Sequence, residues 1–380
     1  MFTVYNVQFA VGIIKVDYSA TVPKKLYTVN FLGCKFTHLY AITMAHFATK
    51  RFNYWGQLGI LTTFCGIGLI VGGLASFIPL LGKINLKDLS GASATVVMDK
   101  LLVPENATAL RWMQFISTLF LFFLPAFFYA LVCHKKPLMH LGFTHAIDAK
   151  QVLVVVLIML ACLPVVGALQ EFTEMLPWSK TMLQQFNAAE ESYNKQITAI
   201  ARMGNFFDFI VSVVMIAFLP AVFEETLFRG GLQNLLSRWF KMPILAIIVT
   251  AIIFSAVHGS YLGFLSRFAL GFVLGWMYYR TGNIWLNIIG HFFNNAFAIT
   301  VLYISTKPGT KADPSKIDDH FPLWFGVVGI ALVVSLFKYF EKISKNDIDR
   351  PGEEVLIAYD DSSNNPFLAD TENIGNTNQL

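Results

Sequence analysis

An all-α bundle of about eight membrane-spanning helices is the architecture this sequence predicts, and three observations predict it. The 380-residue chain is 55% hydrophobic and 14% charged, with a mean hydropathy of +0.57; soluble domains carry nearer about a quarter charged residues. Its apolar residues come in runs close to the roughly 20 residues that a helix needs to cross the hydrocarbon core. Within those runs apolar side chains cover every face rather than one stripe, as in helices solvated by lipid.

The runs fall at residues 57–81, 113–133, 152–168, 206–223, 244–258, 262–279, 284–304 and 323–340. Residues 1–43 form an N-terminal extension. Val4 to Ile14 is apolar but short and lacks a basic flank, which makes it a poor signal peptide. The basic stretch after Met44, ending in Lys50-Arg51, opens the first run as an uncleaved polytopic protein would, and Met44 is expected to be the initiator. Residues 44–205 hold the first three spans and their outer loops, and 206–305 a core in which the polar span residues are concentrated. Residues 306–342 give the last loop and span, and the Asp-, Asn- and Ser-rich stretch 343–380 a disordered tail.

Lysine and arginine set the expected orientation. Lys50/Arg51, Lys135/Lys136, Arg229/Arg238/Lys241, Arg280 and Lys338/Lys342/Lys345 fall on alternate connections. With eight spans they share one side, which the positive-inside rule makes cytoplasmic, along with both termini. This is the expected pattern for a multi-pass protein of the plasma (inner) membrane. The opposite loops mix acids and bases, and the longest, with Glu171, Glu174, Glu190 and Glu191 among aromatics, is expected to form an amphipathic helix. A net charge of +4, scattered along the chain, excludes nucleic acid as a partner. Cys34, Cys65, Cys133 and Cys162 stand singly and read as small buried hydrophobes. Gly68/Gly72 and Gly271/Gly275 have the spacing for close helix contact, and Asn106-Ala-Thr108 is a formal glycosylation triplet.

Ionisable groups inside spans carry the functional information, because each costs at least about 2.5 kcal/mol at the bilayer centre. Three clusters occur. Glu224-Glu225-Thr-Leu-Phe-Arg229 lies where the fourth run ends; Glu225 and Arg229 are four apart and can pair along one face, while Glu224 points elsewhere. Pro220, just before, frees a carbonyl and favours a kink. Phe254 and His258 follow in the fifth run, and His291, Asn294 and Asn295 in the seventh. Read alone, each has a bland account: a helix-end ion pair, a packing histidine, interhelical polar contacts. Read together, two acids, two histidines and a carboxamide on three helices form a set suited to hydrolysis. A carboxylate in apolar surroundings serves as a base, and an imidazole with a carboxamide can donate to an oxyanion.

The motifs EExxxR (Glu224, Glu225, Arg229), FxxxH (Phe254, His258) and HxxxN (His291, Asn295), in this order, resemble the CPBP family of CAAX-protease and bacteriocin-processing membrane proteins. The resemblance runs from about Val213 to about Leu302 and implies an intramembrane endopeptidase with a site open to membrane and cytoplasm. It implies that Glu224, with His258, activates the hydrolytic water, that Glu225 and Arg229 brace Glu224, that His291 and Asn295 stabilise the oxyanion, and that Phe254 packs the pocket. Its implied partners are membrane lipid and a peptide or protein substrate, lipidated or not. Glu224, His258 and His291 would be the ligands of a divalent metal such as zinc. There is no HExxH, and glutamate-activated water without an obligatory metal is the expectation. A transporter would predict a duplicated half, which the sequence lacks; a non-catalytic binding or immunity protein of the same fold would share the motifs. Substrate and oligomeric state are not encoded.

Overall fold

The computed structural model describes side chains over most of residues 52–81, 100–134, 136–143, 147–305 and 322–344, and the backbone alone of four short strands before them. The strands pair as two antiparallel hairpins, Tyr5–Gln8 with Ile13–Val16 and Tyr27–Phe31 with Cys34–His38, inside the expected extension. Met44, Lys50/Arg51, Lys135, the connection 306–321 and the tail 345–380 lie outside the described residues.

The bundle is built from α1 (Tyr54–Ser76), α2 (Ala107–Cys133), α3 (Ala149–Glu174), α4 (Lys180–Ile200), α5 (Phe206–Phe240), α6 (Pro243–Ala256), α7 (Phe264–Thr281), α8 (Ile284–Ser305) and α9 (Leu323–Ile343). All eight expected runs are helical, and α4 is a helix within the longest connection, as expected. Six of the helices, α1 with its extension to Leu80, α2, α3, α5, α8 and α9, are long and apolar enough to cross a membrane. Of the other two expected spans, α6 is short at 14 residues, and α7, at 18 residues with Arg267 and Arg280, is long enough but less apolar. The chain is a multi-pass membrane protein with an all-α bundle. Its outer surface is apolar, as lipid requires, with Ile70 66%, Leu74 73% and Val327 68% exposed.

Local sequence fixes where helices start and stop. Asn53 accepts from Gly56 N at 2.7 Å to cap α1, Asp148 and Gln151 form a capping box on α3, Ser179 caps α4 and Asn205 caps α5. Lys241, in the left-handed region at φ 54°, ends α5, and Pro243 then opens α6.

Contacts at the two ends show that neighbouring spans alternate in direction. At one end Arg238 of α5 donates to Gln57 of α1 at 3.0 Å and to Tyr129 of α2 at 3.3 Å, Gln151 of α3 donates to Ser344 after α9 at 3.1 Å, and Arg280 of α7 pairs with Glu341 of α9 at 3.1 Å. At the other end Arg111 of α2 donates to the carbonyls of Ile200 and Arg202, which close α4, and Phe209 of α5 stacks on Tyr303 of α8. The beginning of α1 and the end of α9 therefore share one face, and α4 covers the opposite one.

The glycine pairs act as spaced. A Cβ on Gly68 would collide with the Phe120 carbonyl oxygen of α2, and one on Gly275 would come within 2.9 Å of Gln233 Oε1. Gly326 and Gly329 of α9 do the same against Ala168 and Val165 of α3, a contact the sequence reading missed. Cys133 and Cys162 are buried and Cys65 is half-buried, and the Cys34 side chain lies outside the described residues. Asn106 is 7% exposed and donates to Leu101 O at 3.2 Å, so the glycosylation triplet holds a structural asparagine.

Two expectations are corrected. The fourth span does not end at residue 223: α5 continues through two π-helical stretches, Val213–Phe218 and Thr226–Gln233, to Phe240. The acid pair sits between those stretches, near the middle of α5. Arg229 and Arg238, counted with the basic connections, are 0% and 7% exposed and belong to the bundle interior; Lys241 is the exposed cation of that turn.

Candidate active site

α5, α6 with the turn that follows it, and α8 bring six of the seven sequence-predicted residues into one largely buried cluster. Glu225 and Arg229, one turn apart, pair at 2.9 Å with both side chains essentially inaccessible. A buried ion pair is tolerated only when its remaining hydrogen-bonding groups find partners. Here that condition is met only in part: Arg229 Nη2 donates to Gly271 O of α7 at 3.2 Å and the guanidinium lies 4.8 Å over the Phe254 ring, while Arg229 Nε and Glu225 Oε2 are buried without a hydrogen-bond partner among the described residues. The second partner of Glu225 is His291, whose Nδ1 is 2.8 Å from the same Oε1. Glu225 thus joins α5 to α8 and turns His291 so that Nε2 faces the cluster.

His258 is not inside a span, as the sequence suggested, but in the turn that follows α6. Its Nδ1 lies 2.7 Å from Phe254 O, one turn back. A carbonyl can only accept, so this nitrogen carries the proton, and the side chain satisfies one of the carbonyls left open at the end of α6. Nε2 is then the bare nitrogen. It points at Glu224, with Nε2 3.8 Å from Glu224 Oε2, and His291 Nε2 stands at the same 3.8 Å from that oxygen.

Glu224 Oε2 is buried and has no hydrogen-bond partner among the described residues. Separations of 3.8 Å are too long for direct hydrogen bonds and leave room for a small donor between the three groups. Leaving such a buried acceptor unmet costs about 1–3 kcal/mol, more for a charged group.

Phe254 is the floor of the cluster. It is 5% exposed, with its ring centroid 4.8 Å from His258, 5.8 Å from His291 and 5.1 Å from Phe228. Asn295 is the expected site residue that the structure does not join to the others. It is half-buried one turn beyond His291, and the contact it makes is with Asn294 at 3.4 Å.

A carboxylate and two imidazoles are chemically suited to a divalent cation, and Glu225 and the Phe254 carbonyl would be its outer partners. Among the described residues, however, no three His, Cys, Asp or Glu side chains are gathered closely enough to hold one. The side chains as they stand do not fit a metal site.

Residues missed by the sequence reading lie beside the cluster. Glu190 of α4 accepts from Ser260 Oγ at 2.5 Å and from Leu262 N at 3.3 Å, in the loop that leaves His258. The same Glu190, with Asn187, Asn194, Lys195, Arg202 and Leu302, lines an open cavity of about 1150 Å³ on the α4 face. Glu224, His258 and His291 do not line it. A pairing 70 residues apart in the chain leaves no local signal.

Comparisons with known proteins match the segment that holds this cluster. Residues 206–297 match the family model of the type II CAAX prenyl endopeptidase Rce1-like proteins, a segment that contains every motif residue from Glu224 to Asn295. Over 91 residues, 23% of its length, the chain is 34% identical to the uncharacterized protein YpbD of Bacillus subtilis (strain 168) and covers 43% of that protein. The chain thus spans less than half the length of this curated relative. No solved structure matches it. The resemblance read from the three motifs stands for this segment, about a quarter of the chain, and supports a CAAX-type intramembrane protease at family level.

Proposed function

We propose that the protein hydrolyses a peptide bond in or at the membrane with a water activated by Glu224. The observation that carries the reading is the convergence of Glu224 Oε2 with two imidazole Nε2 atoms, each at 3.8 Å, around a buried oxygen that has no donor. Glu224 takes a proton from the water as its oxygen attacks the carbonyl carbon. The C–N bond then breaks, and the proton passes from Glu224 to the departing amine. His258, fixed through Nδ1, orients the water. His291, fixed by Glu225, presents Nε2 to the reacting oxygens; with a proton there it donates to the oxyanion. Asn295 supplies a second donor on the same helix when substrate fills the space between. Phe254 excludes water from below. The substrate class is a peptide or protein, with or without a prenyl group. The purified chain in lipid vesicles, offered a peptide library with and without prenylation, tests the reading. Cleavage of one class is expected, and an inert protein across both would overturn it.

No step above runs through a metal, which gives a second expected result. Dialysis against a strong chelator should leave most turnover intact. Complete loss, restored by one equivalent of zinc, would instead assign Glu224, His258 and His291 as ligands.

The side of the membrane follows from the same reading. With the start of α1 and the end of α9 on one face, the positive-inside rule puts that face in the cytoplasm of an inner-membrane protein and α4 outside. This sets the His258 loop on the outer side and departs from the cytoplasm-facing site that the resemblance implies. Single cysteines at positions 100, 195 and 311 should react with a membrane-impermeant maleimide from outside. Protection of two of the three would reverse the orientation.

A further inference from the structure

We infer that Glu190, on the helix that lies across the bundle outside the family-matched segment, is a positioning residue for His258. The inference rests on the reading of His258 as the water-orienting imidazole.

The loop from His258 to α7 is short and turns sharply. His258 N bonds back to Ser255 O, and Gly259, at φ +68°, then reverses the chain in a conformation that favours glycine. In α6 the imidazole is held by Phe254 alone, through its carbonyl and its ring, so its place also depends on how the next residues are tied. They are tied by α4. The Glu190 carboxylate accepts from the Ser260 hydroxyl and from the Leu262 amide, while Ser260 Oγ in turn accepts from Gly263 N at 3.1 Å. Ser260 is 3% and Leu262 7% exposed, so these are sheltered, charge-assisted bonds. The carboxylate also sits at the amino end of α7, where unpaired N–H groups and the helix dipole favour negative charge.

Two aromatic contacts flank this bond. Phe186 of α4 stacks on Tyr261 at 4.8 Å, and Tyr193 of α4 lies under the Arg267 guanidinium at 5.0 Å. The far end of α4 is anchored through Arg111 to the Ile200 and Arg202 carbonyls. A helix that is otherwise half in water is thereby fastened at its end and at the catalytic loop. Glu190 is its polar fastening there.

The test uses the full chain in lipid with the peptide cut fastest in the library above. Glu190→Ala should lower kcat about 10- to 100-fold with KM within about twofold. Glu190→Gln, whose amide oxygen still accepts both bonds, should restore most of the loss. Two readouts do not depend on turnover: amide exchange at residues 259–263, and the rate at which diethylpyrocarbonate modifies His258. Both should rise several-fold in Glu190→Ala and stay near wild type in Glu190→Gln, with the melting temperature little changed. If exchange and His258 modification are unchanged in Glu190→Ala, the inference is overturned whatever the activity. If both rise while the wild type cuts no peptide, the positioning stands and the proposed hydrolysis fails.

Discussion

Glu224→Gln should leave a folded, normally inserted protein with turnover lowered by about 100- to 10,000-fold, the usual contribution of a general base. The amide keeps the volume and an acceptor oxygen for the water, but it cannot take the proton. The structure makes the variant mild for the fold: the ionic contacts of Glu224 are the two histidines at 3.8 Å, and neither is a direct hydrogen bond. Melting temperature and yield should therefore match the wild type, and KM should shift little. Initial rates on the library peptide, measured beside thermal unfolding in the same lipid, check both halves. Wild-type turnover in Glu224→Gln would sink the proposed mechanism.

Glu225→Gln should behave in the opposite way, failing in stability before it fails in chemistry. Glu225 carries the charge that balances Arg229 at 2.9 Å and receives His291 Nδ1 at 2.8 Å, with no exposure of its own. Removing one partner of a buried pair strands the other, at a cost of about 3–5 kcal/mol. Arg229 would keep the Gly271 carbonyl and the Phe254 ring, neither of which is an anion. A sharp fall in yield and thermal stability is expected, with activity lost alongside. Pairing the change with Arg229→Met removes the stranded charge and should recover much of the stability but not the turnover, since a neutral amide still accepts from His291 Nδ1 but no longer stabilises a protonated imidazole. A single variant with wild-type stability would show that the pair is not sheltered as described.

The cluster was legible in the sequence because charge inside a span is costly: Glu224, Glu225, Arg229, His258 and His291 stand out against apolar text, and their spacing already pairs Glu225 with Arg229. The bridge from Glu225 to His291 was not legible, since no periodicity relates residues 66 positions apart. The resemblance implies that Glu225 braces Glu224; the contact the geometry gives Glu225 beside Arg229 is with His291. The length of α5 was misread for a physical reason. Gly230-Gly231 followed by Gln233, Asn234 and Arg238 looks like a helix running out into water, yet each polar group is buried on a distant acceptor: Gln233 on Gly275 O, Asn234 on His140 O, Arg238 on Gln57. The short α6 escaped notice because His258 and the last apolar residues before it look like one run until the turn at Gly259 separates them.

The network around Arg238 also bears on what can be cut out of this chain. The stretch shared with relatives starts at residue 206 and stops at 297, but Gln57 and Tyr129, which receive the guanidinium of Arg238, come from α1 and α2. The Gly290 face of α8 likewise rests on Val155 and Met159 of α3. A fragment limited to the shared stretch would put a cation and an apolar helix face where their partners had been. A shortened version of this protein that keeps these contacts has to retain α1, α2 and α3 along with the shared stretch.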